Sequence, residues 1–206
     1  MIDINRRPIV LIGKMGSGKS TVAGILEDRY STKSVRYNRL VTYTTRKMRE
    51  GESPDAYHFI TNAEFDELEE NGVFAESYST KKNGERVQYG SACEDYDQTA
   101  GWPESYFSVP VVKIAVLTPS GMRQVAKKIG SNAISVIYLR AKECVLRQRI
   151  CARGTESEEA VNERLEREAS DFSRVERECD LVIDTDNVSA DEVANMVDRY
   201  VHRNLF

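Results

Sequence analysis

Gly13-Lys14-Met15-Gly16-Ser17-Gly18-Lys19-Ser20, followed by Thr21, fits G-x-x-x-x-G-K-[ST], the phosphate-binding loop of nucleotide-hydrolysing and nucleotide-kinase folds. Its flanks agree with its letters. Pro8-Ile9-Val10-Leu11-Ile12 is a short apolar, β-branched run that predicts a buried strand. Ser20 to Leu26 predicts the first turns of a helix, with Val22, Ile25 and Leu26 on one face. Bare of side chains at Gly13, Gly16 and Gly18, the backbone can wrap closely, and its N–H groups converge on phosphate oxygens. The helix N-terminus adds a favourable field for an anion. In this pattern Lys19 reaches the β- and γ-phosphates and the Ser20 hydroxyl ligates Mg²⁺. Gly13 through Thr21 is therefore the expected ATP site.

A chain of 206 residues suits one compact domain with room for one or two inserted subdomains. Hydrophobic residues make up 40% of it, enough for a core, and no stretch approaches the length of a membrane span. Residues 1–7 lack the apolar segment of a signal peptide, so a cytoplasmic protein is expected. Cys93, Cys144, Cys151 and Cys179 form no C-x-x-C pair, and His58 and His202 stand alone, which argues against zinc and against a disulfide framework. Cys144 and Cys151, seven apart on a predicted helix, read as small core residues. A net charge of −4 argues against broad nucleic-acid binding. Oligomeric state is not legible, and a homodimer is left open.

Beyond the first helix, Ser31–Arg39 is a polar connection of no clear type. Leu40–Thr45 predicts a strand, Arg46–Pro54 an exposed basic loop, and Tyr57–Ile60 another strand. Thr61-Asn62-Ala63-Glu64 is a capping box, opening a helix that stops at Asn71-Gly72. Val73–Tyr78 and Glu85–Ser91 predict a hairpin turning at Lys82-Asn83-Gly84. The helix–strand alternation resumes with strands at Val109–Leu117 and Ala133–Leu139 around a helix from Pro119. A helical hairpin follows, Lys142–Arg153 and then a helix opened by Thr155-Glu156-Ser157-Glu158; Leu181–Asp184 and a helix capped by Ser189 close the chain. Strands alternating with helices predict a parallel, doubly wound α/β sheet.

Thr42-Tyr43-Thr44-Thr45-Arg46-Lys47-Met48-Arg49-Glu50-Gly51-Glu52 and Tyr57-His58-Phe59 resemble T-T-R-x-x-R-x-G-E and Y-x-F of the guanylate kinase family. Phe74-Ala75-Glu76, Tyr89-Gly90-Ser91, and Arg149 to Glu156 with Arg164-Leu165 are similar to its F-x-E, Y-Y-G-[ST] and R-L-x-x-R-G-T-E…R-L elements. The resemblance runs nearly end to end. It implies a P-loop NTPase core at 1–36, 93–141 and 166–206, a small, mostly β insertion binding the nucleoside monophosphate at 37–92, and a helical lid at 142–165. It implies an enzyme that phosphorylates GMP or dGMP from ATP and Mg²⁺, with small-molecule nucleotides and neither nucleic acid nor membrane as partners.

The residue types suit those roles. Arg46 and Arg49 offer planar forks for a monophosphate, with Tyr57 and Tyr89 adding hydroxyls by resemblance. By itself Glu76 reads equally well as an outward-facing strand acid. In the family register it accepts guanine N1–H and the exocyclic amine, and adenine would leave its charge unpaired. Thr42 and Ser91 fall where the family places hydroxyls around the base. Arg149 and Arg153, four apart, share a helix face, and Arg164 follows on the next helix; bland salt bridges compete with a lid that brings positive charge to the transferring phosphoryl group. In this reading Lys19, Arg46, Arg153 and Arg164 are catalytic, with Arg149 and Arg153 also at ATP.

Three elements depart from the pattern: the hairpin between Glu76 and Tyr89 is longer than usual, the ending Val182–Asn187 differs from the family's V-V-N-D-D on the adenine side, and the acidic strand end is missing. Setting the glycine of the family's h-D-h-D-x-x-G on Gly121 puts Val116 and Thr118 at its two aspartates. Three consequences stay open: Mg²⁺ held by Ser20, ATP and water; another acid, Asp184 or Asp186, in substitution; or an altered kinase. A non-catalytic guanylate-kinase-like binding module and a kinase for another phosphorylated acceptor, such as ribose 1,5-bisphosphate, are the alternatives.

Overall fold

The computed structural model describes residues 7–32, 35–82, 84–97, 110–152 and 158–204, with backbone alone at 82 and 158–160. The first strand, β1 (Ile9–Ile12), is buried at all four positions, as an apolar run at the centre of a parallel sheet must be. Helix α1 (Lys19–Ile25) follows the loop and continues as a π-helical turn over Leu26–Tyr30.

Next comes β2 (Arg36–Arg39), within the segment that looked structureless. It pairs in parallel with β7 (Val111–Val116), Tyr37 opposite Val112. Of its four residues only Tyr37 is buried, and its hydroxyl donates to Asp198 Oδ1 at 2.7 Å. An edge strand with one inward side chain carries no apolar alternation, which is why the sequence hid it. It also means that residues 37–39, grouped with the insertion on sequence, pair in the core sheet.

The core sheet closes with β8 (Ser135–Arg140) and β9 (Leu181–Asp184), in the parallel order β2-β7-β1-β8-β9. Helix α1 and the last helix, α6 (Ala190–Asn204), cover one face, burying Val22, Leu26, Val193, Val197 and Val201. On the other face α3 (Pro119–Ile129) buries Met122 and Val125. Covered on both sides, this is a doubly wound sheet. The phosphate loop leaves β1 between β7 and β8, at the carboxyl end where such folds bind ligands.

A second sheet carries β3 (Tyr43–Thr44), β4 (His58–Phe59), β5 (Phe74–Lys82) and β6 (Glu85–Ala92) in the order β4-β3-β6-β5. The β5–β6 pairing runs out to Lys82–Glu85, longer than the sequence suggested; Gly84 turns at φ 81° and Asn83 lies outside the described residues. Between β4 and β5, α2 (Asn62–Glu70) begins with the expected capping box, Thr61 and Glu64 bonding reciprocally.

Helices α4 (Glu143–Cys151) and α5 (Glu158–Asp171) form the helical hairpin around Leu146, Ile150, Val161 and Leu165, with Met15 of the phosphate loop packed against them. Arg153 and the Thr155 capping box lie outside the described residues. Cys144 and Cys151 are exposed, not core: the inward stripe of α4 is taken by Leu146 and Ile150, and the two cysteines fall off it. Among the described residues no helix is long and apolar enough to cross a membrane.

Candidate active site

At the donor end, Gly16 and Gly18 take positive φ (81° and 95°), the turn that delivers the loop into α1. The Lys19 ammonium folds back onto the loop, donating to Gly13 O at 2.6 Å and Lys14 O at 3.1 Å. Ser20 and Thr21 are exposed on the first turn of the helix. Beside the loop lies a cavity of about 310 Å³, lined by Gly16, Gly18, Val22, Arg149, Thr185 and Val193 among others. Arg149 donates to Thr185 Oγ1 at 3.1 Å and to the Thr185 carbonyl, so α4 and the end of β9 share its wall.

In the second sheet, the β5–β6 register sets Glu76 opposite Ser91. The Ser91 hydroxyl donates to Glu76 Oε1 at 3.0 Å, and with its one proton so used it accepts from Tyr96 Oη at 2.8 Å. Glu76 is 5% exposed. Burial pushes its carboxyl up to about 7, against the pull of the Ser91 hydrogen bonds. A Cβ on Gly121, in the first turn of α3, would stand 3.0 Å from Glu76 Oε2, so the acid leans over the core helix's N-terminus. Thr42 precedes Tyr43, the partner of Gly90, and the register carries it toward Ser91.

Arg46 was expected in an exposed loop and is buried instead, because Glu52 comes with it. Its two terminal nitrogens meet the Glu52 carboxylate at 2.7 and 2.5 Å, and its guanidinium carbon lies 4.7 Å from the centre of the Tyr57 ring. The Arg46 hydrogen bonds, then the Arg49 N–H at 3.0 Å, hold the Glu52 carboxyl down at about 2. Arg49 itself is exposed. Tyr57 and Tyr89 meet edge to face at 6.3 Å, and Tyr78 from the long hairpin stacks on Tyr89 at 5.1 Å. Arg46, Tyr57 and Tyr89 thus form one cluster beside Glu76, with Arg49 at its rim. Glu52, Tyr78 and Tyr96 were not singled out by sequence; only Glu52, closing the quoted motif, carried a signal.

Arg164 on α5 bonds Glu168 at 3.2 Å. Val116, at the end of β7, is half-buried. Thr118 caps α3, accepting from Gly121 N at 3.1 Å. Asp184 and Asp186, the substitute acids considered, are engaged elsewhere: Arg140 grips Asp184 at 2.6 and 2.8 Å, and Asp186 accepts from Lys142 N at 2.8 Å. Among the described residues no cluster of three or more acid, His or Cys ligands exists that could hold a metal. Of the loop's side chains, the exposed Ser20 hydroxyl is the one that could ligate a divalent cation.

A glycine-rich loop between the central strand and first helix of a doubly wound parallel sheet defines a P-loop NTPase fold. A family model described as guanylate kinase matches residues 5–203. The guanylate kinase of Shewanella violacea is 30% identical over 184 residues, spanning 87% of this chain and 81% of that protein. That of Streptococcus mutans is 28% identical over 198 residues, 92% and 84% of the two chains. The crystal structure of guanylate kinase from Anaplasma phagocytophilum shares the fold, with a TM-score of 0.65 at 21% identity over 98% of this chain and 88% of that one. The chain belongs to the guanylate kinase family.

Proposed function

We propose that this chain transfers the γ-phosphoryl group of ATP to GMP or dGMP, giving ADP and GDP or dGDP. The observation that carries the reading is the buried Glu76, hydrogen-bonded by Ser91 and set beside the Arg46–Tyr57–Tyr89 cluster, in a chain whose phosphate loop is intact. Glu76 accepts from guanine N1–H and the exocyclic amine, while Thr42 and Ser91 border the base. Arg46 and Arg49, with Tyr57 and Tyr89, hold the monophosphate and aim one of its oxygens at the γ-phosphorus. Lys19, Arg153 and Arg164 neutralise charge that spreads over the transferring group, with Arg149 at the donor. The Ser20 hydroxyl would hold a Mg²⁺ ion brought with ATP, which would supply charge neutralisation at the phosphates. The transfer is in line, with no covalent enzyme intermediate.

In this reading residues 142–165 close over the donor as a lid, residues 40–92 receive the acceptor, and the remainder is the core. The protein works in the cytoplasm, where its nucleotides are. Each assigned residue lies on one chain, so the reading requires no dimer. Val116 and Thr118, in place of acids, give one specific reason to keep a second acceptor in view, a phosphorylated sugar without a base.

ADP formation from ATP and Mg²⁺ should be measured with GMP, dGMP, AMP, UMP, ribose 1,5-bisphosphate and no acceptor. Turnover is expected with GMP, dGMP or both, and with neither AMP nor UMP. ATP binding without turnover on any of them would overturn the assignment in favour of a binding module, and turnover on the sugar bisphosphate alone would reassign the acceptor.

A further inference from the structure

On α5, Val161, Leu165 and Glu168, with Phe172 just beyond the helix, follow one another at helical spacing. Val161 and Leu165 are buried in the helical hairpin's core, and Phe172 packs under the sheet, its ring stacked on Tyr138 at 5.4 Å. An acid third in an otherwise apolar stripe calls for a partner. Glu168 has two. Its Oε2 accepts the backbone N–H of Met15, in the middle of the phosphate loop, at 2.8 Å, and its Oε1 accepts Arg164 Nε at 3.2 Å. Its side chain is 20% exposed. The Met15 side chain packs into the hairpin core at the same place.

The backbone N–H groups of such a loop cradle phosphate, and Met15 N–H is a backbone donor of this loop. The Glu168 carboxylate, an anion with paired oxygens, sits on that donor, and the lysine meant for the phosphates is meanwhile turned to the loop's own carbonyls. A carboxylate and a triphosphate oxygen cannot share one N–H, and their like charges repel. We propose that Glu168 is a positioning residue that stands in for a donor phosphate until ATP binds the loop. On binding, ATP displaces the carboxylate from Met15 and takes over the Arg164 it held. The exchange ties loading of the loop to delivery of a lid arginine, and keeps Arg164 at the loop's mouth beforehand.

Competition of this kind lowers apparent affinity by the fraction of loops left open. A carboxylate in place about nine-tenths of the time would weaken ATP about tenfold. Removing its charge should therefore tighten ATP binding. The inference rests on the loop being the ATP site. Its test is direct binding of Mg²⁺-ATP by calorimetry with no acceptor present, so a failure of the GMP assignment leaves it readable. In Glu168→Gln the Kd for ATP should fall about three- to tenfold. Glu168→Ala, which cannot keep a neutral hydrogen bond to Met15, should move it the same way. Glu166→Gln, the same charge change at an exposed position of the same helix, should leave it at the parent value. In the kinetic assay the change should fall on KM for ATP, with KM for the acceptor and kcat near the parent's. Unchanged or weakened ATP binding in folded Glu168→Gln and Glu168→Ala would overturn the proposal and leave Glu168 a structural tie between α5 and the loop. An equal shift in Glu166→Gln would overturn it too, as bulk charge.

Discussion

Glu76 and Ser91 face each other across β5 and β6, and the 3.0 Å hydrogen bond between their side chains holds a nearly inaccessible carboxylate in the site proposed for the acceptor. Tyr96 extends the contact to a three-membered chain, fixing the orientation in which the acid presents its oxygens. A base that brings two donors satisfies that carboxylate; one that brings an acceptor leaves it desolvated and unpaired.

If Glu76 reads the base as proposed, acceptor use should be pH-dependent. Burial raises its carboxyl from 4.5 to about 7. A raised acid binds more protons folded than unfolded, so its contribution to stability is largest at low pH and declines as pH rises between those values. The proposed recognition of guanine needs the ionised form and should run the other way. The ratio kcat/KM for GMP should fall as pH drops below about 7, since this ratio reports groups of the free enzyme. Glu76→Gln should lose that limb and lose GMP use by at least about a hundredfold, while ATP binding stays intact. A pH profile in Glu76→Gln that keeps the limb would assign it to another group.

The Arg46–Glu52 pair sets a second expectation. A charge aimed by a bidentate carboxylate and backed by the Tyr57 ring is held for a planar partner, and lysine offers neither the fork nor the stacking surface. Arg46→Lys should raise KM for GMP by about tenfold or more, at roughly the 1.5–3 kcal/mol of a charged hydrogen bond. Glu52→Gln should raise it less, because the guanidinium remains but loses its aim. Equal KM values in parent and Arg46→Lys would remove Arg46 from phosphate binding.

What the sequence revealed was local. The loop, its strand and helix, and the capping boxes at Thr61 and Ser189 are contiguous, and Ser189 and Glu192 bond just as Thr61 and Glu64 do. Long-range partners stayed hidden. Tyr37 defines β2 through Asp198, 161 residues away, and Glu168 reaches Met15 across 153. Arg46 reads as a solvated charge run until Glu52 folds back six residues later. Cys144 and Cys151 misled because spacing on a helix does not say which side faces in, and Leu146 and Ile150 had the stronger claim.

Lys19 is expected to separate activity from folding. It is half-buried and donates to the carbonyls of Gly13 and Lys14 within its own loop. Lys19→Ala should lower kcat by about 10²–10³-fold, the loss typical of one transition-state donor, with a circular dichroism spectrum like the parent's. Turnover near the parent rate would take Lys19 out of the reaction.

Gly13 and Gly18 should respond differently to the same methyl group. At Gly18 a Cβ meets nothing within 4 Å, so Gly18→Ala bears only the left-handed strain of φ 95°, about 1–2 kcal/mol. At Gly13 the Cβ would stand 2.4 Å from Ser17 Oγ and 2.6 Å from the Leu139 carbonyl oxygen. Ser17 is a side chain and can turn; Leu139 is backbone in β8, hydrogen-bonded in the sheet, and cannot. The loop must then lift away from β8, at about 1–3 kcal/mol of overpacking, and its N–H groups no longer point at one place. Gly13→Ala should therefore lose more ATP affinity than Gly18→Ala for a comparable loss of stability, which urea unfolding and ATP calorimetry on the two variants would measure. Full ATP affinity in Gly13→Ala would show that the loop can deform without losing its grip on the phosphates.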